Sequence, residues 1–183
     1  MIEAAADAAA TASAECLRRA LTQVTEQDLG DLDAWVPPGA AEMVRVLGAR
    51  LAAKLITLWP GVALAVPMPD SRHASGMARR AELVAALGQE DAAALCAAWG
   101  GQVLLLPVMR SLLREKRQRW LRAEFDRLSA QGLTRVRAVT VLGLRLAAAG
   151  QSMTSRQISS ALDRADAPTQ VDQLPLFDLV KPH

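Results

Sequence analysis

Residues 42–67 read EMVRVLGARLAAKLITLWPGVALAVP, and residues 82–107 read ELVAALGQEDAAALCAAWGGQVLLLP. Set against each other at an offset of 40 with no gap, they agree at 11 of 26 positions, among them Leu47/Leu87, Gly48/Gly88, Leu55/Leu95, Trp59/Trp99, Gly61/Gly101, Leu64/Leu104 and Pro67/Pro107. Alanine bias supplies only a few of these matches, so the pattern reads as an internal duplication. Each copy parses alike. A short helix over 41–47 stops at Gly48, and a second helix carries Leu51, Leu55 and Leu58 at helical spacing. Pro-Gly or Gly-Gly then breaks the helix, and an apolar strand runs until a proline stops it. One such unit leaves a strand edge unpaired and a face unburied, whereas two can pair their strands, near 62–66 and 103–106, about a local two-fold axis. The expected fold is therefore mainly α with a small β element: a duplicated helix–helix–strand unit forming a pseudo-dimer, followed by a helix-turn-helix region.

Working outward, four segments emerge. Residues 1–35 form an alanine-rich N-terminal helical segment, with Cys16, Leu17 and Leu21 packing on the rest. Residues 36–109 hold the duplicated assembly domain, in which 67–77 is a linker. That linker contains Asp70, Ser71, Arg72 and His73, but neighbours in one loop rarely hold triad geometry, so it carries no catalytic site. Residues 110–165 form a basic helical domain, and 166–183 a disordered tail.

Charge divides along the same line. Residues 1–100 hold 8 Lys+Arg against 12 Asp+Glu, and residues 110–164 hold 12 against 4, a net of +8. A basic C-terminal region beside an acidic one is the footprint of a nucleic-acid binder with a separate assembly region. The plainer alternative is a solvated arginine-rich helix face. Composition narrows the classes further. The chain has 183 residues, 51% of them hydrophobic and 22% charged, which fits a globular protein. No apolar run reaches the roughly 18 residues that span a bilayer, and the N-terminus lacks a secretory pattern, so a cytoplasmic, nucleoid-associated protein with no membrane partner is expected. Cys16 and Cys96 cannot build a disulfide framework or a four-ligand zinc site, and His73 and His183 cannot build a multi-histidine centre. With no tyrosine, every tyrosine-nucleophile DNA enzyme is excluded. A binding protein, with no metal, cofactor or enzymatic activity, is what remains.

The basic domain reads as a helix-turn-helix. A long helix over 111–130 places Leu112, Leu113, Trp120, Leu121, Phe125 and Leu128 on its apolar stripe, and Gly132 ends it. Thr134 caps a second helix, with Val136, Val139, Leu142 and Leu146 inward, which ends at Gly150. After a turn, Thr154 caps a short helix over 155–164 with Ile158 and Leu162 inward. Its outer face then presents Ser155, Arg156, Gln157, Ser159 and Ser160. Polar side chains near a helix N-terminus suit the major groove, where arginine pairs with guanine and glutamine with adenine. Expected duplex contacts are Arg114, Arg117, Arg119, Arg122, Arg135, Arg137, Thr154, Ser155, Arg156, Gln157 and Ser160. The alternative is a helical hairpin with a polar exterior.

Residues 36–42, VPPGAAE, and 59–67, WPGVALAVP, resemble the N-terminal dimerisation region of the Mor/C family of Mu-like phage transcription activators. The second copy, 99–107, WGGQVLLLP, is similar to the family's Gly-Gly-strand-Pro element, and 114–125 to its basic helix leading into a helix-turn-helix. The resemblance spans roughly 36–164 and implies a transcription regulator that binds double-stranded DNA as a homodimer, with RNA polymerase as a further partner. Unlike the family's pattern, the dimerisation unit occurs twice in one chain.

The tail reads DAPTQVDQLPLFDLVKPH. Its Gln173-Leu174-Pro175-Leu176-Phe177 resembles the QLxLF pentapeptide by which bacterial polymerases and repair factors dock on the β sliding clamp of DNA polymerase III. In such docking Leu176 and Phe177, beside Leu174, enter an apolar pocket while the Gln173 amide bonds at its rim. The resemblance implies a second function, a replication or repair accessory factor tethered to the clamp. The alternative is a tail folded back on the domain. A third class, an interaction adaptor with a merely solvating basic helix, would show no shift of random duplex DNA.

Overall fold

The structure, a computed structural model, describes residues 2–31 and 33–164. In chain order it contains α1 (Ile2–Thr22), α2 (Glu26–Asp31), a 3-10 turn (Asp33–Trp35), α3 (Pro38–Leu47), α4 (Ala49–Leu58), β1 (Ala63–Ala65), α5 (Ala74–Leu87), α6 (Gln89–Trp99), β2 (Val103–Leu105), α7 (Arg110–Ala130), α8 (Arg135–Ala148) and α9 (Ser155–Asp163). The chain is mainly helical with one two-stranded antiparallel sheet, as its sequence implies. Among the described residues, no helix is long and apolar enough to cross a membrane. Two compact units result, one of residues 15–117 and one of residues 2–14 with 118–164.

In the unit of residues 15–117, β1 pairs with β2 in the register Ala63↔Leu105, Leu64↔Leu104, Ala65↔Val103. The middle pair joins residues forty positions apart, and the backbone bonds around it come in matching sets. Gly61 N–H donates to Leu106 at 3.1 Å and Gly101 N–H to Val66 at 2.9 Å. Val66 N–H donates to Gln102 and Leu106 N–H to Val62, both at 2.9 Å. Gly61 (φ +75°) and Gly101 (φ +80°) turn the chain from helix into strand in the left-handed region, where a side chain is strained. A Cβ on Gly61 would also lie 2.8 Å from Val108 Cγ2.

The ribbon sits on an apolar core built from both halves. Met43, Leu51, Leu55, Ile56 and Leu64 come from the first half, and Leu83, Leu87, Leu95, Cys96 and Leu106 from the second, with Met109 and Leu112 at the start of α7 completing it. Leu112 explains why this unit extends to Arg117, eight residues beyond the boundary expected from sequence: the first turns of α7 belong to its core. Of the α4 leucines, Leu51 and Leu55 are buried, but Leu58 is 45% exposed, because it closes the helix just before the Trp59–Gly61 turn, and Ile56 takes the inward position.

Two polar contacts tie helices together. Asp91 on α6 is buried at the position that Leu51 occupies forty residues earlier, and it accepts from Arg50 and from Lys54 Nζ (3.0 Å) on α4. Lys54 also donates to the Leu87 carbonyl at the end of α5. Lys116 on α7 donates to Asp28 and to the Gln23 carbonyl, clamping α7 to the junction of α1 and α2. Burial pushes the Asp28 carboxyl up, but the bonds from Lys116 and Thr25 outweigh it and hold it below its ordinary value.

The Asp91 contact generates a test. The bonds from Arg50, against the opposing effect of burial, and those from Lys54 hold its carboxyl below the usual range. A group with a depressed folded value stabilises fully above its unfolded value, about pH 4, and loses that contribution as pH falls through the folded value. Arg50 is mostly exposed, so water screens part of the gain. Asp91→Ala is expected to cost about 2 kcal/mol at neutral pH in urea unfolding and progressively less on acidification. Asp91→Leu, which installs the residue type of position 51, should stay within about 1 kcal/mol of the parent. A leucine variant less stable than the alanine variant would contradict this account.

Candidate nucleic-acid interface

The second unit, described by itself, is strongly basic over residues 118–164. Residues 118–164 hold 8 arginines against Glu124, Asp126 and Asp163, a net of +5. Leu121 and Leu128 on α7, Ala138, Val139, Leu142 and Leu146 on α8, and Ile158, Ala161 and Leu162 on α9 are buried. Gly132 ends α7 in the left-handed region (φ +83°), with Leu133 N–H reaching back to Leu128 at 3.2 Å. Gly150 ends α8 in the same way (φ +70°), with Gln151 N–H donating to Leu146 at 2.8 Å. Both are bonds of the Schellman type, which need a glycine at the turn.

The start of α9 is fixed on both sides. Thr154 Oγ1 accepts from the Gln157 N–H at 3.2 Å, and Gln157 Oε1 accepts from the Thr154 N–H at 2.8 Å and from its hydroxyl at 3.2 Å. This is a reciprocal capping box, and it satisfies two donors that a helix end otherwise leaves open. Ile158, fully buried, seats the helix, with its Cδ1 beside Gly143 of α8. Across the unit, Glu124 accepts from Arg127 at 2.7 and 2.9 Å and from Arg145 of α8. Arg135 pairs with Asp163.

Those contacts sort the residues expected at a duplex. Arg114 and Arg117 lie on the part of α7 that belongs to the other unit, Arg114 exposed and Arg117 partly buried. On the second unit, Arg119 and Arg137 are exposed and Arg122 is partly buried. Arg135 is exposed but ion-paired. Thr154, Ser155, Arg156 and Gln157 are exposed at the start of α9, while Ser160 is partly buried. Among the described residues, no carboxylate pairs with Arg114, Arg137 or Arg156. The carboxamide oxygen of Gln157 is engaged by the cap.

Two local readings are corrected. Val136, placed on the inward stripe by its spacing, is 77% exposed, because Ala138 and Val139 take the inward positions at the start of α8. Thr134 occupies the N-cap of α8 with extended backbone, but its side chain makes no capping bond. The Glu124–Arg145 tie has no local signal in the sequence; only the Glu124–Arg127 pair follows the i, i+3 spacing of a helix. Residues 173–177, with Gln173, Leu174, Leu176 and Phe177, lie outside the described residues.

Compared with known proteins, the chain matches no family model, no curated sequence and no solved structure. Among the described residues, no three His, Cys, Asp or Glu side chains gather where a metal ion could sit.

The packing of α9 on α8 yields a direct expectation. Ile158→Ala removes a fully buried side chain and should cost roughly 2–4 kcal/mol, seen as an early loss of helix on heating. Val136→Ala, exposed on the same unit, should change stability by less than about 0.5 kcal/mol. Equal effects at the two positions would refute the assignment of the inward face.

Proposed function

We propose that the chain is a DNA-binding regulatory protein. In this reading residues 42–67 and 82–107 are duplicated halves that form an internal pseudo-dimer, and α8 and α9 are a helix-turn-helix that engages double-stranded DNA. The observation that carries it is the capped, exposed N-terminus of α9, with Ser155, Arg156 and Gln157 side by side, in a stretch, residues 118–164, whose net charge is +5. A major-groove helix needs a rigid end that presents donors and acceptors, on a body of positive charge that attracts phosphate. The matched hydrogen bonds around Leu64 and Leu104 support the duplication. A homodimer, with RNA polymerase contacted at promoter DNA, completes the regulator implied by the resemblance to Mor-type activators.

Random duplex should bind with strong salt dependence. Four arginine–phosphate contacts correspond to a fall of roughly a hundredfold between about 50 and 200 mM salt. Arg119→Ala and Arg137→Ala should weaken binding to every sequence alike and flatten that slope. Fluorescence polarisation of labelled duplex measures both. Salt-independent binding, or a slope unchanged in the double variant, refutes the reading.

A second reading, favoured by Gln173-Leu174-Pro175-Leu176-Phe177, is a replication or repair accessory factor held on the β sliding clamp by its tail. A peptide of residues 171–180 should bind purified clamp at about micromolar affinity, since two apolar anchors are buried while an extended segment is ordered. Replacing Leu176 and Phe177 by Ala should abolish binding, and Pro175→Ser should change it little. Absence of binding at about 100 μM peptide in calorimetry eliminates the clamp.

A further inference from the structure

We propose that the two exposed side chains at the start of α9 do different work: Arg156 reads a guanine, and Gln157 is a positioning residue that holds the helix end on which Arg156 stands. The inference rests on the duplex-binding reading above and divides its recognition between the two side chains.

Adenine is read by glutamine through two bonds at once, with the carboxamide oxygen accepting from N6 and the amide nitrogen donating to N7. In Gln157 that oxygen is occupied. It accepts from the Thr154 N–H at 2.8 Å and from the Thr154 hydroxyl at 3.2 Å, while the Gln157 N–H returns a bond to Thr154 Oγ1. Turning the carboxamide to an adenine would break the capping box and reopen the end of the very helix that has to be presented. Only the amide nitrogen is left to donate, which suits a phosphate oxygen but lacks the paired bonds that single out adenine. Arg156, one residue earlier, is in the opposite situation. It is exposed, and among the described residues no carboxylate pairs with its guanidinium. Its planar fork matches O6 and N7 of guanine, the commonest specific contact in the major groove. Two residues beyond it, Ile158 is fully buried, so the backbone that carries Arg156 is anchored within two positions. A rigid base with one uncommitted fork gives preference for a G·C pair at one position rather than an adenine-directed contact beside it.

The conservative variant separates the two roles. A glutamate at this position of a capping box accepts the same bonds as glutamine. It cannot donate to N7 of adenine. The preferred duplex is first selected from a randomised pool with the full-length chain, and competition against single base-pair changes then gives the preference at each position. Arg156→Ala should flatten the preference for one G·C pair by roughly ten- to a hundredfold. Gln157→Glu should keep the ranking of sequences unchanged, although its charge lowers affinity for all of them. Gln157→Ala should lower affinity several-fold for every sequence, again without reordering them. Hydrogen exchange of the free protein reads the cap independently of DNA: the first-turn amides of α9 should keep their protection in Gln157→Glu and lose it in Gln157→Ala.

A change of preferred base in either Gln157 variant, or an unaltered ranking in Arg156→Ala, overturns the division. Exchange unaffected by Gln157→Ala overturns the positioning role. Failure of the parent chain to bind duplex in a salt-dependent manner is a different result. It removes the duplex-binding reading, and the Arg156 assignment with it, while the exchange data still decide what Gln157 does.

Discussion

Three-residue strands hold no structure alone, and the unit of residues 15–117 depends on two of them finding each other. β1 and β2 meet at Leu64 and Leu104, and around that pair each interstrand bond has its counterpart forty residues along the chain. The pairing has consequences on both sides of the ribbon. Backbone groups that one helix–helix–strand segment would leave open are satisfied by the other. Leu64, Val66 and Leu106 are brought down onto Leu55, Ile56, Leu95 and Cys96, so that a single apolar core is shared. At Asp91 the two segments differ in a buried position. Where the first half buries Leu51, the second buries a carboxylate, and α4 supplies Arg50 and Lys54 to meet it. An ion pair in place of an apolar contact adds little net stability, but it gives the contact between α4 and α6 a partner requirement that leucine lacks.

On the C-terminal unit the arrangement is one of fixed ends. Schellman bonds close α7 and α8, the capping box opens α9, and Ile158 pins it from below. Ion pairs occupy some arginines, Arg127 and Arg145 on Glu124 and Arg135 on Asp163, while Arg137 and Arg156 stand clear of any described carboxylate. In the proposed function, the whole set supplies attraction to a polyanion, and selectivity is assigned to the few side chains held in one geometry by the cap.

Much of this was legible in the sequence because glycine, proline and threonine mark chain turns by local physics. Gly61 and Gly101 marked the helix-to-strand turns, Gly132 and Gly150 the helix ends, and Thr154 a cap. The repeat at an offset of 40 residues gave the pairing partner of each strand, and the two meet at the middle of the ribbon. What escaped was set by distance along the chain. Nothing local told that Glu124 would meet Arg145, or that Lys116 would reach back to Asp28. Exposure of Val136 and Leu58 escaped as well, since helical spacing gives the direction of a side chain but not where the neighbouring element stops. At Gln157 the residue type suited base reading and capping equally, and only the hydrogen bonds separate the two.

The central claim, that duplex DNA is held by the C-terminal unit through α9, is tested most directly by hydrogen–deuterium exchange of the full chain with and without duplex. The account predicts added protection at residues 154–160, with none at the ribbon residues 61–67 and 101–107. Protection confined to residues 15–109, with α9 unchanged, would contradict it.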